Sequence, residues 1–246
     1  MTLSTLAITT PDGTIDSQLL LPEGDGPFPA ILLLTDIRGA RPVYTKLAAA
    51  LAEQGFAVLL PNLYYRSAQA PVVVPDAPFD DETRARLQSY RKLLTLDAQA
   101  SDFDAFVRTL DATDGVDASR IGVVGYCMTG SFALRLAAQY PDRVRAAASF
   151  HGGQLAPADD ASAPHLLAPR IKARVHIGHA DQDASAPPEQ IARLDAALAE
   201  AGVDFTTEFY AGRKHGFAIA DSAAYDADAS ARHLRRLLTL FGESLR

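Results

Sequence analysis

The chain has 246 residues, of which 48% are hydrophobic and 22% charged, a balance that excludes a largely disordered, collagen-like or coiled-coil protein. A net charge of −7 leaves no broad positive face for nucleic acid or an anionic membrane. The single cysteine, Cys127, excludes an intramolecular disulfide and a Cys-rich zinc site and points to a reducing compartment.

The first residues carry neither a basic segment nor an apolar run of signal-peptide length. No stretch approaches the roughly 18 apolar residues of a membrane span, so a soluble, cytoplasmic protein is expected. Residues 5–9 and 16–21 read as edge strands around the turn Pro11-Asp12-Gly13. The continuous apolar run at 30–34 predicts a strand buried on both faces. Apolar residues at helical spacing over 44–54 stop at Gly55, and a second buried strand follows at 56–60, stopped by Pro61. The proline-rich segment 67–81 reads as a loop. A long amphipathic helix is expected over 94–111, a strand over 121–125 and a helix over 128–140. Strands at 144–150 and 174–178 flank a small, polar loop at 156–164. A helix over 187–201 ends beside Gly202, where a C-cap glycine belongs. A strand at 204–210 and a helix at 223–240 complete the chain. Strand and helix alternate throughout, which predicts an α/β protein, one domain over 1–246, with a mostly parallel central sheet and helices on both faces.

The most informative pattern is Gly125-Tyr-Cys-Met-Thr-Gly130, between an apolar strand and a helix. This is the setting of a nucleophile elbow, G-x-nucleophile-x-G, with cysteine in place of serine. Small residues on either side let the chain turn sharply. The second small position holds Thr129, with Gly130 one residue further on. At a helix N-terminus, unpaired N–H groups and the helix dipole favour a thiolate, and the Met128 N–H points to where an oxyanion would form. A base and an orienting acid are then required. Two downstream segments at strand ends supply them: Val175-His-Ile-Gly-His-Ala-Asp-Gln-Asp183 and Tyr210-Ala-Gly-Arg-Lys-His-Gly-Phe217. The order nucleophile, acid, histidine is that of α/β-hydrolases. Asp181 and Asp183 compete as the acid, and Asp183, four residues before Pro187, is preferred. His176, His179, Asp181 and Asp183 also resemble a metal-ligand run. On a strand, however, His176 and His179 project to opposite faces, so no metal is expected. His151, at a strand end, reads equally as a pocket residue and as a polar loop residue.

Taken together, the chain resembles the dienelactone hydrolase family of α/β-hydrolases. The resemblance rests on Leu34-Thr-Asp-Ile-Arg-Gly39, Pro61-Asn-Leu-Tyr-Tyr-Arg66, the Cys127 elbow, the Asp183 loop and Lys214-His-Gly-Phe217. It implies an α/β-hydrolase fold and a cysteine-dependent hydrolase of esters or lactones, working through Cys127, His215 and Asp183. It assigns the Ile37 N–H as the second oxyanion donor beside Met128, and Asp36 as the acid that holds the resting thiol. Asp36 is one methylene shorter than the glutamate of the family's prototype. Of the two arginines that clamp the prototype's substrate carboxylate, one maps onto Arg86, four before Tyr90, with Arg84 second. The other position is held by apolar Ile219. Arg38 and Arg66 are further candidates for contact with an anion. The expected partner is a small ester or lactone, with no cofactor, and the sequence leaves open whether the chain is a monomer or a homodimer. Two other classes share the same residues: a thiol-based redox protein using Cys127, which would lack a resolving cysteine, and a catalytically silent binding module.

Overall fold

The computed structural model describes residues 1–74 and 79–246, and the chain resolves into two compact units, Met1–Ser119 and Arg120–Arg246. In the first unit, β1 (Thr2–Thr10) and β2 (Gly13–Leu21) form an antiparallel hairpin, with Thr10 opposite Gly13. β2 pairs antiparallel with β4 (Ala57–Pro61), which pairs parallel with β3 (Phe28–Leu34). Parallel neighbours need a crossover, and α1 (Pro42–Ala52) supplies it, with Pro42 preset for the first turn. Ala30 through Leu34 are all fully buried, as a run of five apolar residues demands.

Two helices follow, α2 (Asp81–Arg91) and α3 (Leu96–Asp111), the latter capped by Thr95. α2 follows directly on the segment expected to be a loop, which lies partly outside the described residues. The start signals of α2 are present. The Asp80 side chain accepts from the Thr83 N–H at 2.8 Å, and Asp81 and Glu82 occupy the first turn. Leu87 is the only residue that α2 buries, so the helix has almost no apolar periodicity to read.

In the second unit, the buried part of β5 (Val116–Tyr126), β6 (Val144–Phe150), β7 (Arg174–Gln182) and β8 (Phe205–Lys214) pair in that order, all parallel. A short 3-10 turn, Cys127–Thr129, leads from β5 into α4 (Gly130–Gln139), which packs on β6. A second short 3-10 segment, Pro164–Arg170, begins at the last residue of the predicted polar loop. α5 (Pro188–Glu200) contacts β8, and α6 (Ala227–Leu245) lies over β6 and β7. β7 and β8 run four residues past the predicted ends, joined by Gln182 opposite Lys214 beyond a register shift. Of those extra residues only His179 and Ala180 are buried, and none forms an apolar run, so hydrophobicity could not announce them. α6 starts at Ala227, not 223, because Asp226 caps it by accepting from the Ala229 N–H at 2.9 Å. No helix among the described residues is long and apolar enough to cross a membrane.

The strands of the second unit point the same way, so their carboxyl ends collect Cys127, His151, Asp183 and His215 at one edge. Ligands of open α/β sheets bind at that edge.

Candidate active site

Cys127 follows β5 with a backbone φ of +58°, a left-handed conformation that a residue with a Cβ adopts at a cost and that is common at functional turns. The neighbouring glycine is required by space. A Cβ at Gly125 would lie 2.0 Å from the Thr129 carbonyl oxygen and 2.4 Å from its carbon. Thr129, at the position where the motif prefers glycine, closes the turn instead. Its buried hydroxyl accepts from the Tyr126 N–H at 2.8 Å and donates to the Tyr126 carbonyl at 3.1 Å. Gly130 meets the end of β6, where an added Cβ would sit 2.2 Å from Ser149 Oγ. The Gly153 N–H reaches the Cys127 carbonyl at 3.3 Å, tying the segment after β6 to the turn. The Cys127 side chain is left half-buried.

His215 lies in the turn that follows β8. Its Nδ1 is 2.7 Å from Asp183 Oδ2 and 3.1 Å from Ser185 Oγ. Ser185 donates both its hydroxyl, at 2.6 Å, and its N–H, at 2.9 Å, to Asp183 Oδ1. Asp181 is engaged elsewhere, accepting from the Gly212 N–H at 2.8 Å. Burial disfavours the charged imidazole more than any other single influence. Hydrogen bonds to Asp183 and Cys127, together with their negative charges, outweigh it and push His215 up to about 10. Asp183 is held below its ordinary value: burial opposes ionisation, but the bonds from His215 and Ser185 overcome it.

His151 lies against this pair. Its ring stands edge-on to His215, 5.1 Å between centroids, and to Phe217 at 5.5 Å. It is fully buried, has a φ of +40°, and neither ring nitrogen has a hydrogen-bond partner among the described residues. Burial, reinforced by the charge of His215, drives it well below its ordinary value, so it is neutral. Behind it, His233 Nε2 pairs with the Tyr126 hydroxyl at 2.6 Å, and Nδ1 lies 3.2 Å from the Ser230 carbonyl. A carbonyl only accepts, so Nδ1 carries the proton and Nε2 receives the phenol. The elbow is thereby anchored to α6. His176, His179 and His233 are each lowered to about 4, chiefly by burial. Among the described residues, no group of three or more His, Cys, Asp or Glu side chains could hold a metal ion.

A cysteine on a strained turn and a histidine paired with a buried acid lie together at the carboxyl ends of the parallel strands of the second unit. The sequence profile of the dienelactone hydrolase family matches residues 15–245. The chain belongs to the dienelactone hydrolase family. It is 32% identical over 189 residues to the carboxymethylenebutenolidase of Rhodococcus opacus, covering 76% of this chain and 69% of that one. It is 27% identical to the Pseudomonas putida carboxymethylenebutenolidase, covering 92% and 90%. The solved structure of a dienelactone hydrolase-like promiscuous phosphotriesterase from metagenomic libraries superposes with a TM-score of 0.81 at 23% identity, covering 100% of both chains. The fold is therefore the α/β-hydrolase fold, and the chain is a member of a hydrolase family.

Met128, assigned as an oxyanion donor, is buried directly after Cys127, and the remaining residues assigned by resemblance to this family, Ile219 apart, lie in the first unit. Both carboxylate oxygens of Asp36 are occupied there. Oδ1 accepts from Arg41 Nη1 at 2.7 Å and from the Arg38 N–H at 2.8 Å, and Oδ2 accepts from Arg41 Nη2 at 2.8 Å. Arg41, which sequence reasoning overlooked, is buried and also donates to the Gly39 carbonyl at 3.0 Å. The Ile37 carbonyl accepts from the Tyr64 hydroxyl at 3.0 Å. Asp36, Arg41 and Tyr64 thus fix the loop that carries Ile37. Arg38 and Arg84 both lie over the Phe79 ring, at 5.8 and 5.1 Å. Arg84 also pairs with Asp81 at 3.6 Å. Arg86 donates to the Val72 carbonyl at 3.0 Å and sits 5.9 Å from the ring of Tyr90, which in turn stacks obliquely on Tyr64. Arg66 is committed to Asp102 and Asp12. Ile219, at the second arginine position of the family prototype, is buried. Ser185 was also missed. The only signal for it was the D-x-S spacing of a turn in which a side chain caps its neighbour.

Proposed function

We propose that the protein hydrolyses carboxylic esters or lactones through a Cys127–Asp183–His215 triad and a thioester intermediate. The observation that carries this reading is the pairing of His215 with Asp183 at 2.7 Å, with Cys127 as the other group that raises the same imidazole. At neutral pH a histidine raised to about 10 holds a proton, so the ring beside Cys127 rests as imidazolium.

The Cys127 sulfur attacks the acyl carbon, and the carbonyl π electrons move onto oxygen. The backbone N–H of Met128 receives that charge, and the family resemblance assigns a second donor to Ile37. Such donors are typically worth about 3 kcal/mol each in the transition state. When the tetrahedral species collapses, the C–O bond breaks and the leaving oxygen takes the proton of His215. The charge change favours this step. Two of the influences that raise His215 come from Cys127, and both vanish once the sulfur is a neutral thioester, so the imidazolium becomes a stronger acid when a proton is needed. Neutral His215 then removes a proton from water, hydroxide adds to the thioester, and the thiolate departs with the carboxylic acid formed.

A thiolate is itself a good leaving group, so alkoxides of low basicity, such as the enolate of an enol lactone, partition forward best. Carboxymethylenebutenolidase is the activity named for the Rhodococcus and Pseudomonas relatives. With Ile219 in place of a second arginine, recognition of an anionic substrate would fall to Arg86, Arg84 and Arg38, with Tyr90 beside Arg86. Asp36 contributes by holding the Ile37 loop. Any hydrogen bond from it to the resting thiol would come from oxygens that already accept from Arg41. The test is turnover of an ester and lactone panel, with anilides as controls. Wild type is expected to cleave activated esters and enol lactones but not anilides, and Cys127→Ala and His215→Ala to lose turnover. Equal turnover by wild type and Cys127→Ala would refute the mechanism.

A further inference from the structure

We propose that Ser185 is a positioning residue, a fourth member of the relay that keeps Asp183 ionised and fixes the proton of His215 on Nδ1. This deepens the triad reading and rests on it. The Asp183 side chain is only 2% exposed, and a carboxylate so buried stays charged only if donors replace its water. Three donors are present: the Ser185 hydroxyl and the Ser185 N–H on Oδ1, and His215 Nδ1 on Oδ2. Two of the three come from one residue. They pin Oδ1, which leaves Oδ2 facing the imidazole.

The hydroxyl has one proton. At 2.6 Å from Asp183 Oδ1 that proton lies toward the carboxylate, so Ser185 Oγ presents a lone pair to His215 Nδ1 at 3.1 Å. A bare Nδ1 would then face two acceptors, Oγ and Oδ2, with no hydrogen between them. The arrangement is consistent only with a proton on Nδ1, shared between Asp183 and Ser185. Nε2 remains for the chemistry at sulfur and leaving group. Ser185 is itself held in place, since its carbonyl accepts from the Gln154 N–H at 3.3 Å. Gly153 leaves it room, because a Cβ there would come within 3.0 Å of Ser185 Oγ. The charge of Asp183 is also felt by His151 and His179, but burial keeps both rings neutral.

The experiment compares wild type, Ser185→Ala and Ser185→Thr, each checked for folding by circular dichroism. Two readouts are used: the pH profile of kcat/KM, and the downfield Nδ1–H proton resonance of His215, which needs no substrate. Without the hydroxyl, Asp183 protonates more readily. The acid limb of the Ser185→Ala profile should move up by about one pH unit, and kcat should fall about tenfold with KM little changed. The resonance should shift and exchange faster. Ser185→Thr, which keeps the hydroxyl, should restore both. An unshifted acid limb and resonance in Ser185→Ala overturn the proposal, as does a folded Ser185→Thr that fails as Ser185→Ala does. If Ser185→Ala does not fold, Ser185→Thr alone decides, with a wild-type profile supporting the proposal and a shifted one overturning it. Failure of the triad reading is distinct, since it would appear as wild-type turnover in Cys127→Ala and His215→Ala.

Discussion

Gly125→Ala is the sharpest test of how the elbow is built. The backbone at Gly125 is not in the left-handed region, so alanine meets no conformational penalty there and the effect is one of space alone. The new Cβ would start 2.0 Å from the Thr129 carbonyl oxygen and 2.9 Å from the Gly130 nitrogen, both backbone atoms. Contact with the oxygen is short by about 1.5 Å. No side-chain rotation relieves it. Either the Thr129 peptide moves or the end of β5 does, and either shift pulls apart the two hydrogen bonds between the Thr129 hydroxyl and Tyr126. Losing them costs about 1 kcal/mol each, and the overpacked turn adds about 1–3 kcal/mol, so a loss of about 3–5 kcal/mol is expected. Displacing the nucleophile by about 1 Å should lower kcat/KM by about 100-fold in whatever fraction remains folded. Urea denaturation gives the first quantity and turnover of an activated ester the second. A Gly125→Ala protein within about 0.5 kcal/mol of wild type and equally active would refute this account of the turn.

Three other outcomes follow from the same geometry. Asp183→Asn should lower kcat by about 10³- to 10⁴-fold with little change in fold, because an amide that donates to Nδ1 selects the wrong tautomer of His215; activity within tenfold of wild type would count against Asp183. His176, His179 and His233 take up a proton at about 4 when folded but near 6.5 when unfolded. Their contribution is complete above pH 6.5 and is lost as pH falls toward 4, about 2 kcal/mol per ring by pH 5, so urea midpoints should drop steeply over that window and stay flat if the rings are not neutral in the native state. Arg41→Ala should cost about 3–5 kcal/mol by leaving buried Asp36 unpaired, and Arg41→Lys should not restore it, since only a guanidinium serves both carboxylate oxygens in parallel; an unchanged melting temperature would contradict this.

The buried elements were legible because burial writes itself into composition. The runs at 30–34 and 56–60 and the strand before Cys127 are apolar without interruption and sit in the sheet. The elbow was legible through Gly125, and Asp183 and His215 through their order and their places at strand ends. What could not be read depends on polar contacts made in three dimensions. α2 buries one leucine and announces itself only by its cap. The ends of β7 and β8, residues 181–182 and 211–214, carry no buried apolar side chain. Thr129 stands where the motif prefers glycine, yet it closes the turn with its hydroxyl. Arg41 and Ser185 touch the named site residues but belong to no spacing rule, since what they contribute is a bond to a carboxylate whose position the sequence does not give.

The central claim is that Cys127 carries the acyl group. Rapid acid quenching of the enzyme during turnover of an activated ester, followed by intact-mass and peptide mass spectrometry, tests it directly. The account predicts one added acyl mass located on the peptide containing Cys127, accumulating further in His215→Ala if that variant is acylated, and absent from Cys127→Ala. Turnover of the same ester with no adduct on Cys127, undiminished in Cys127→Ala, would contradict it.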